Sequence, residues 1–225
     1  GAKVGLRWAR GPFELMNRMG VARSCAMAQA YSETAGEGWV VPTLFTAQGD
    51  QPWDFSYVDS DVSKGVATLT INRPEAMNAL NVTVVQQLTK EVAAANANPD
   101  VHTIVLDGAG KAFVAGADVK FFVDKIRADA IPDIYDFTAE GHELLNMLET
   151  SSKTTVALTT GLALGGGLEL ALSCDYRIGT RRTQFRFPET SIGIYPGLGG
   201  SHRPAPTRGP PAARWAVLAW TFMNA

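Results

Sequence analysis

The chain of 225 residues has little of what marks several common protein classes. It carries two cysteines, Cys25 and Cys174, far apart in sequence, so there is neither a disulfide framework nor a CxxC metal knuckle. Three histidines, His102, His142 and His202, are scattered; none sits in an HExxH or similar ligand spacing, and no GxSxG elbow offers a serine nucleophile. The net charge is −2, without the basic surplus of a protein that wraps nucleic acid or coats an anionic membrane. No long apolar run is free of polar residues. The most apolar stretch, residues 157–174, holds Glu169, two adjacent threonines and three consecutive glycines, which a membrane-spanning helix of about 20 residues would not favour. The start has neither an initiator Met nor a secretory signal, and reads as the middle of something longer. A reducing, cytoplasmic setting and a small-molecule partner are the expectations that remain.

What is present is an α/β pattern. Pro12, Phe13, Leu15, Met16 and Met19, followed by an Ala-rich stretch from Val21, predict short helices separated at Gly20. Residues 36–53 interleave glycine, proline and aromatics as a surface connector, with a boundary near residue 53. Residues 55–59 and 66–72 flank a polar turn at Ser63-Lys64-Gly65 and predict a hairpin. Asn81 caps a helix with apolar positions at Val84 or Val85, Leu88, Val92 and Ala95, stopped at Asn98-Pro99. A buried strand is expected from Thr103 to Leu106, then an amphipathic stretch around Leu144, Leu145 and Leu148, a strand from Thr155 to Leu158, a helix opening at the glycines, and a strand from Tyr176 to Ile178.

Two glycine-rich pieces imitate nucleotide loops and fail. Gly108-Ala109-Gly110-Lys111 has Ala112 where a Walker A motif needs Ser or Thr, and Val105 where it needs its first glycine; residues 161–167 lack the GxGxxG order. A different constellation stands out by its order: Ala112-Phe113-Val114-Ala115-Gly116-Ala117-Asp118, then Leu164-Gly165-Gly166-Gly167-Leu168-Glu169, then Phe187-Pro188-Glu189 with Pro196-Gly197-Leu198-Gly199-Gly200. Small residues at Gly116, Ala117 and Gly166 let a ligand approach the backbone, where N–H groups can grip a developing oxyanion. By residue type alone, Glu169 after a glycine turn satisfies helix-end amides, Glu189 after Pro188 starts a helix, Asp118 caps the next one, and Lys120 either lies on a solvated face or reaches a ligand phosphate. The arginines from Arg181 to Arg214, Arg203 among them, read as surface or subunit contacts, with phosphate contact the alternative.

These runs, together with Asn72-Arg73-Pro74-Glu75-Ala76-Met77-Asn78-Ala79-Leu80, resemble the enoyl-CoA hydratases of the crotonase superfamily over roughly residues 55–225. The resemblance implies a crotonase-like spiral of repeated ββα units behind a short helical segment. It implies that Glu169 and Glu189 are the two catalytic glutamates, Glu169 activating water and Glu189 protonating Cα, and that Ala117 and Gly166 supply the oxyanion-hole amides. Ala76, Met77, Ala115, Asp118, Lys120 and Gly197 match positions that contact the CoA ester. No metal or redox cofactor is implied, CoA being part of the substrate, and a homo-oligomer, a trimer or dimer of trimers, is the family's assembly. The chemistry is reversible syn addition of water to a 2-enoyl-CoA; the alternatives are double-bond isomerisation, or an inactive fragment lacking a complete acyl pocket. Residues 11–20 resemble the last helices of 3-hydroxyacyl-CoA dehydrogenases of the type fused upstream of a hydratase, so residues 1–53 are expected to be a remnant of that domain, without its NAD-binding half. Residues 54–225 are expected to be a hydratase domain truncated at its C-terminus, with prolines from Pro204 to Pro211 interrupting a usually helical region and an apolar final helix from Trp215 to Met223 that needs a partner.

Overall fold

The structure is a computed structural model that describes residues 11–35, 39–203 and 223–224. The starting residues, the prolines at 204–211 and the aromatic run at 215–222 lie outside the described residues. Two compact units divide the chain between Phe55 and Ser56, and each is taken by itself.

In the first unit, Pro12 opens helix α1 (Pro12–Met19), where its missing N–H costs nothing, and the Gly11 amide is capped by Glu14 Oε2 at 2.7 Å. Gly20, at φ 93°, breaks the chain before α2 (Val21–Thr34), as the spacing predicts. The expected connector departs from prediction: Thr43–Gln48 form a helix, α3, between Pro42 and Gly49. The glycines and prolines that suggested a loop are its punctuation. Asn17 binds both backbone groups of Trp53, at 2.8 and 2.7 Å, and Phe13 packs on the Trp53 ring with centroids 4.5 Å apart. Among the described apolar residues of this unit, only Met16 and Val21 are buried.

The second unit begins with the hairpin. Strands β1 (Val58–Ser63) and β2 (Val66–Ile71) pair antiparallel across Lys64-Gly65, both at positive φ, the geometry that suits a two-residue hairpin turn. Strand β1 starts later than expected and runs to the turn itself. On β2 alternation is strict: Ala67, Leu69 and Ile71 enter the core. Asn81 Oδ1 accepts from Val84 N at 2.8 Å and caps α4 (Val82–Ala97), where Val84 and Val85 are both buried together with Leu88, Val92 and Ala95.

After α4 the chain winds so that each turn lays one strand into each of two sheets. The first sheet has the order β1-β2-β3-β5-β7, with β3 (Thr103–Gly108), β5 (Thr154–Thr159) and β7 (Tyr176–Gly179) parallel to β2. The second has the order β4-β6-β8-β9, formed by β4 (Ala112–Ala115), β6 (Leu162–Leu164), β8 (Gln184–Arg186) and β9 (Met223–Asn224), with only β9 antiparallel. Helices α5 (Val119–Arg127), α6 (Ile131–Glu149) and α7 (Gly166–Leu172) complete the turns. The core is formed by side chains such as Leu88, Ile104, Leu106, Phe113, Leu145 and Leu170. The whole second sheet is an addition to what periodicity predicts. Its strands are two to four residues long, and on β4 Ala112, Phe113 and Val114 are buried in succession, so no sustained alternation betrays them. Met223 is likewise in a strand rather than at the end of a helix.

Asn78 ties the loop after β2 to the second sheet. Its side chain is fully buried, donates to the carbonyls of Ala109 and Ala112 at 2.9 and 2.8 Å, and accepts from Arg73 N at 2.9 Å. It also holds a left-handed φ of 57°, which Asn tolerates better than most residues. Asn78→Ala leaves three backbone groups without partners; it should cost roughly 2–4 kcal/mol in urea unfolding. A loss below about 0.5 kcal/mol, the usual range of a surface substitution, would contradict this role.

Candidate functional site

The second sheet ends in two turns that face each other. At the end of β6, Gly165 N donates to Arg186 O of β8 at 2.9 Å, and the chain turns at once into α7, carrying Glu169. At the end of β8, Phe187-Pro188 leads into a 3₁₀ turn, Glu189–Ile192. Sheet pairing between β6 and β8 therefore sets the two glutamates beside one another.

Gly165 shows how close that approach is. Its φ of 47° and ψ of −121° suit glycine, and a Cβ there would collide with Glu189 Oε1. Gly166 differs: a Cβ would stand 3.4 Å from Leu80 Cδ1, 3.6 Å from Leu198 Cδ1 and 3.8 Å from Ala117 N. The backbone at 166 thus lies next to the Ala117 amide. Ala117 follows β4 and is bridged to Leu80 by bonds that use its neighbours, Leu80 N to Gly116 O at 2.9 Å and Asp118 N to Leu80 O at 2.7 Å. Neither Ala117 N nor Gly166 N has a hydrogen-bond acceptor among the described residues.

The carboxyl groups sit in unequal surroundings. Glu169 is 1% exposed, and its Oε1 accepts from the amides of Leu198 and Gly200, each at 2.7 Å. Burial raises its pKa, opposed by the Gly200 and Leu198 amides and by the Arg203 charge. Glu189 is 9% exposed, and its buried Oε2 has no hydrogen-bond partner among the described residues. Burial pushes its pKa from 4.5 to about 7; its own backbone amide pulls the other way, and the negative charge of Glu169 adds to the rise. One carboxylate is gripped and the other is poised to hold a proton near neutrality.

The remaining residues singled out by the sequence divide into two groups. Ala76, Met77 and Ala115 come together, because Ala115 N donates to Met77 O at 3.0 Å; Ala76 is half-buried and Met77 exposed, in the left-handed region. Gly197 lies exposed just before the Leu198 amide. Asp118 caps α5 through Lys120 N at 3.2 Å and pairs with Arg73 Nη2 at 2.9 Å, the structural role that its position suggests. Lys120 is exposed on the first turn of α5. Arg203 corrects the reading of the chain's later arginines as surface charge: it is 6% exposed and ion-paired with Glu149 at 2.7 Å. No local pattern announces a partner 54 residues away. A cavity of about 900 Å³ opens elsewhere, beside Lys111, Thr160, Arg181 and Arg182, without either glutamate in its wall. Among the described residues no group of three His, Cys, Asp or Glu side chains is placed to hold a metal ion, and no helix is long and apolar enough to cross a membrane.

Because its pKa is raised on folding, Glu189 binds a proton more tightly in the native state. Its contribution to stability is therefore complete below pH 4.5 and is lost as pH rises through about 7. Glu189→Gln should unfold at a temperature a few °C above that of the parent protein at pH 8, with the gap closing toward pH 4.5. Calorimetric scans across that range check it; a gap independent of pH would contradict the burial of an ionisable group at 189.

Comparison with known proteins agrees with this geometry. The family model for enoyl-CoA hydratase/isomerase matches residues 66–210. The chain is 38% identical over 161 residues to a crotonyl-CoA hydratase of Syntrophomonas wolfei, covering 71% of this chain and 60% of that protein. It is also 38% identical over 161 residues to the peroxisomal fatty acid beta-oxidation multifunctional protein of rice, covering 72% of this chain and 22% of that one. The crystal structure of an enoyl-CoA hydratase from Thermoplasma volcanium superimposes with a TM-score of 0.69 at 31% identity, over 75% of this chain and 66% of its own. The chain spans about 60% of the length of the hydratases that it matches. From the spiral of two sheets, the facing glutamate turns and the match over residues 66–210, the chain belongs to the enoyl-CoA hydratase/isomerase family.

Proposed function

We propose that the site adds water reversibly across the double bond of a 2-enoyl-CoA to give a 3-hydroxyacyl-CoA. The thioester oxygen lies between the amides of Ala117 and Gly166, whose free N–H groups meet the negative charge that builds there as the enolate forms; such donors are worth roughly 3–4 kcal/mol each. Water is held between the two carboxyl groups. Glu169 accepts its proton as the oxygen bonds to Cβ, and Glu189 delivers a proton to Cα, so that H and OH are added to one face. The acyl-CoA is the substrate, and the reaction needs no further cofactor. Ala76, Met77 and Ala115, on the loop and strand that lead to the Ala117 amide, contact the CoA ester together with Asp118 and Lys120 at the start of α5 and Gly197 before the Leu198 amide.

The observation that carries this reading is the unequal pair. Burial raises both carboxyl groups, Glu189 to about 7; at Glu169 two backbone amides and a guanidinium oppose the rise, whereas the buried Oε2 of Glu189 has no donor among the described residues and Glu189 retains a proton to give. Double-bond isomerisation moves one proton along the chain and needs one principal carboxyl group; two carboxyl groups with different partners support hydration. The relatives named as crotonyl-CoA and short-chain-enoyl-CoA hydratases, each 38% identical, support the same substrate class. A cytoplasmic homo-oligomer completes the reading. The run at residues 11–20 supports a parent polypeptide in which a 3-hydroxyacyl-CoA dehydrogenase precedes the hydratase, so that the product of one site is the substrate of the other.

Glu169→Gln and Glu189→Gln should each lower kcat for crotonyl-CoA hydration by about 10²-fold or more, with KM changed by less than about 3-fold. Steady-state absorbance assays check this, and near-parental turnover in both variants would sink the two-glutamate mechanism. Gly166→Val should remove turnover while circular dichroism stays that of the parent, because the side chain enters the space beside Ala117 N; full activity in that folded variant would take the 166 amide out of the site.

A further inference from the structure

The loop that holds Glu169 is itself held from behind. Both of the hydrogen bonds that Glu169 accepts fall on Oε1, from Leu198 N and Gly200 N; Oε2 accepts none among the described residues. The carboxyl plane is therefore only as well placed as the turn at residues 198–200. Arg203 spans that turn. Its backbone N donates to Gly199 O at 2.9 Å, and its Nη1 donates to Leu198 O. The guanidinium lies where a Gly199 side chain would project, and Gly199 has a φ of 98°, so that position has no room for a Cβ. On its other side Arg203 reaches α6: Nε donates to Glu149 Oε1 at 2.7 Å, and Nη2 to Glu149 Oε2 and Asn146 Oδ1, each at 3.2 Å. Two parallel bonds to one carboxylate fix the guanidinium plane as a single contact cannot.

We infer that Arg203, anchored by Glu149 and Asn146 on α6, is a positioning residue that fixes the Leu198–Gly200 turn and so aims the free oxygen of Glu169 at the reacting water. The inference rests on the hydration reading above and adds residues that touch neither substrate nor water. The buried guanidinium serves Glu169 through backbone, by way of the Leu198 carbonyl on one side of the turn and the Leu198 and Gly200 amides on the other. Its charge also favours the ionised Glu169, whose other charged neighbour is Glu189.

The test is a comparison of Arg203→Gln, Arg203→Lys and Glu149→Gln with Glu169→Gln, all assayed with crotonyl-CoA and normalised to folded protein by circular dichroism. Arg203→Gln should lower kcat by about 10-fold or more with KM within about 3-fold, and should move the acidic limb of the kcat–pH profile to higher pH, since Glu169 loses a favourable charge. Arg203→Lys keeps the charge but loses the fork; its acidic limb should stay near that of the parent while kcat remains low. Glu149→Gln, at a side chain 38% exposed, leaves Arg203 in place and should show a smaller loss of kcat. It serves as the readout if Arg203→Gln does not fold. Parental kcat and pH profile in folded Arg203→Gln, or in Glu149→Gln should the former not fold, overturn the positioning role. If Glu169→Gln is inactive in that same series, the hydration reading survives; if Glu169→Gln retains parental turnover, the hydration reading fails and takes the inference with it.

Discussion

A carboxylate that leaves water must be met by donors or it will take a proton, and the placement of Glu169 is built around that requirement. Two backbone amides from a turn almost thirty residues downstream supply the donors. Amides so used cannot lie within the body of a helix or on the paired edge of a strand, where they would already be committed. The turn must therefore be irregular, rich in glycine, and close enough for both N–H groups to reach one oxygen. The spiral provides this by bringing successive chain reversals to the same end of the second sheet.

The partner glutamate is built on the opposite principle. Glu189 has a buried oxygen with no donor among the described residues, so nothing at that oxygen offsets the burial that favours its protonated form. Identical side chains thereby acquire different protonation behaviour from their surroundings alone. The asymmetry also orients the pair: one carboxylate is fixed by two amides, whereas the other has an acceptor site still open. Because their charges act on each other, the two titrate as a unit.

Much of this was legible in the sequence, for reasons that can be located. The first sheet is read from alternation on β2 and from the apolar positions of α4, because each has one face toward solvent and therefore a period. The glycine-flanked turns and both glutamates are visible because backbone that approaches a ligand or a side chain must be bare. What stays hidden is whatever is short, buried all round, or distant in sequence. Strands β4, β6 and β8 are three or four residues long, too short to set a period. Arg203 looks like any other arginine near Arg208 and Arg214, because its identity as a buried strut depends on Glu149 and Asn146 one helix away. The helix at Thr43–Gln48 was obscured by the glycines and prolines that bound it.

The contact between Gly165 and Glu189 has a consequence for how such a site can change over time. The space denied to a side chain at position 165 is the space occupied by the tip of the glutamate at 189. A side chain at 165 needs that carboxyl to swing aside and also meets a φ of 47°, a backbone that side chains rarely adopt, so shortening the residue at 189 removes only the first of two obstacles. A chain that had lost the glutamate would still favour glycine at 165 for the sake of its backbone, so the bare residue marks the turn rather than the carboxyl beside it.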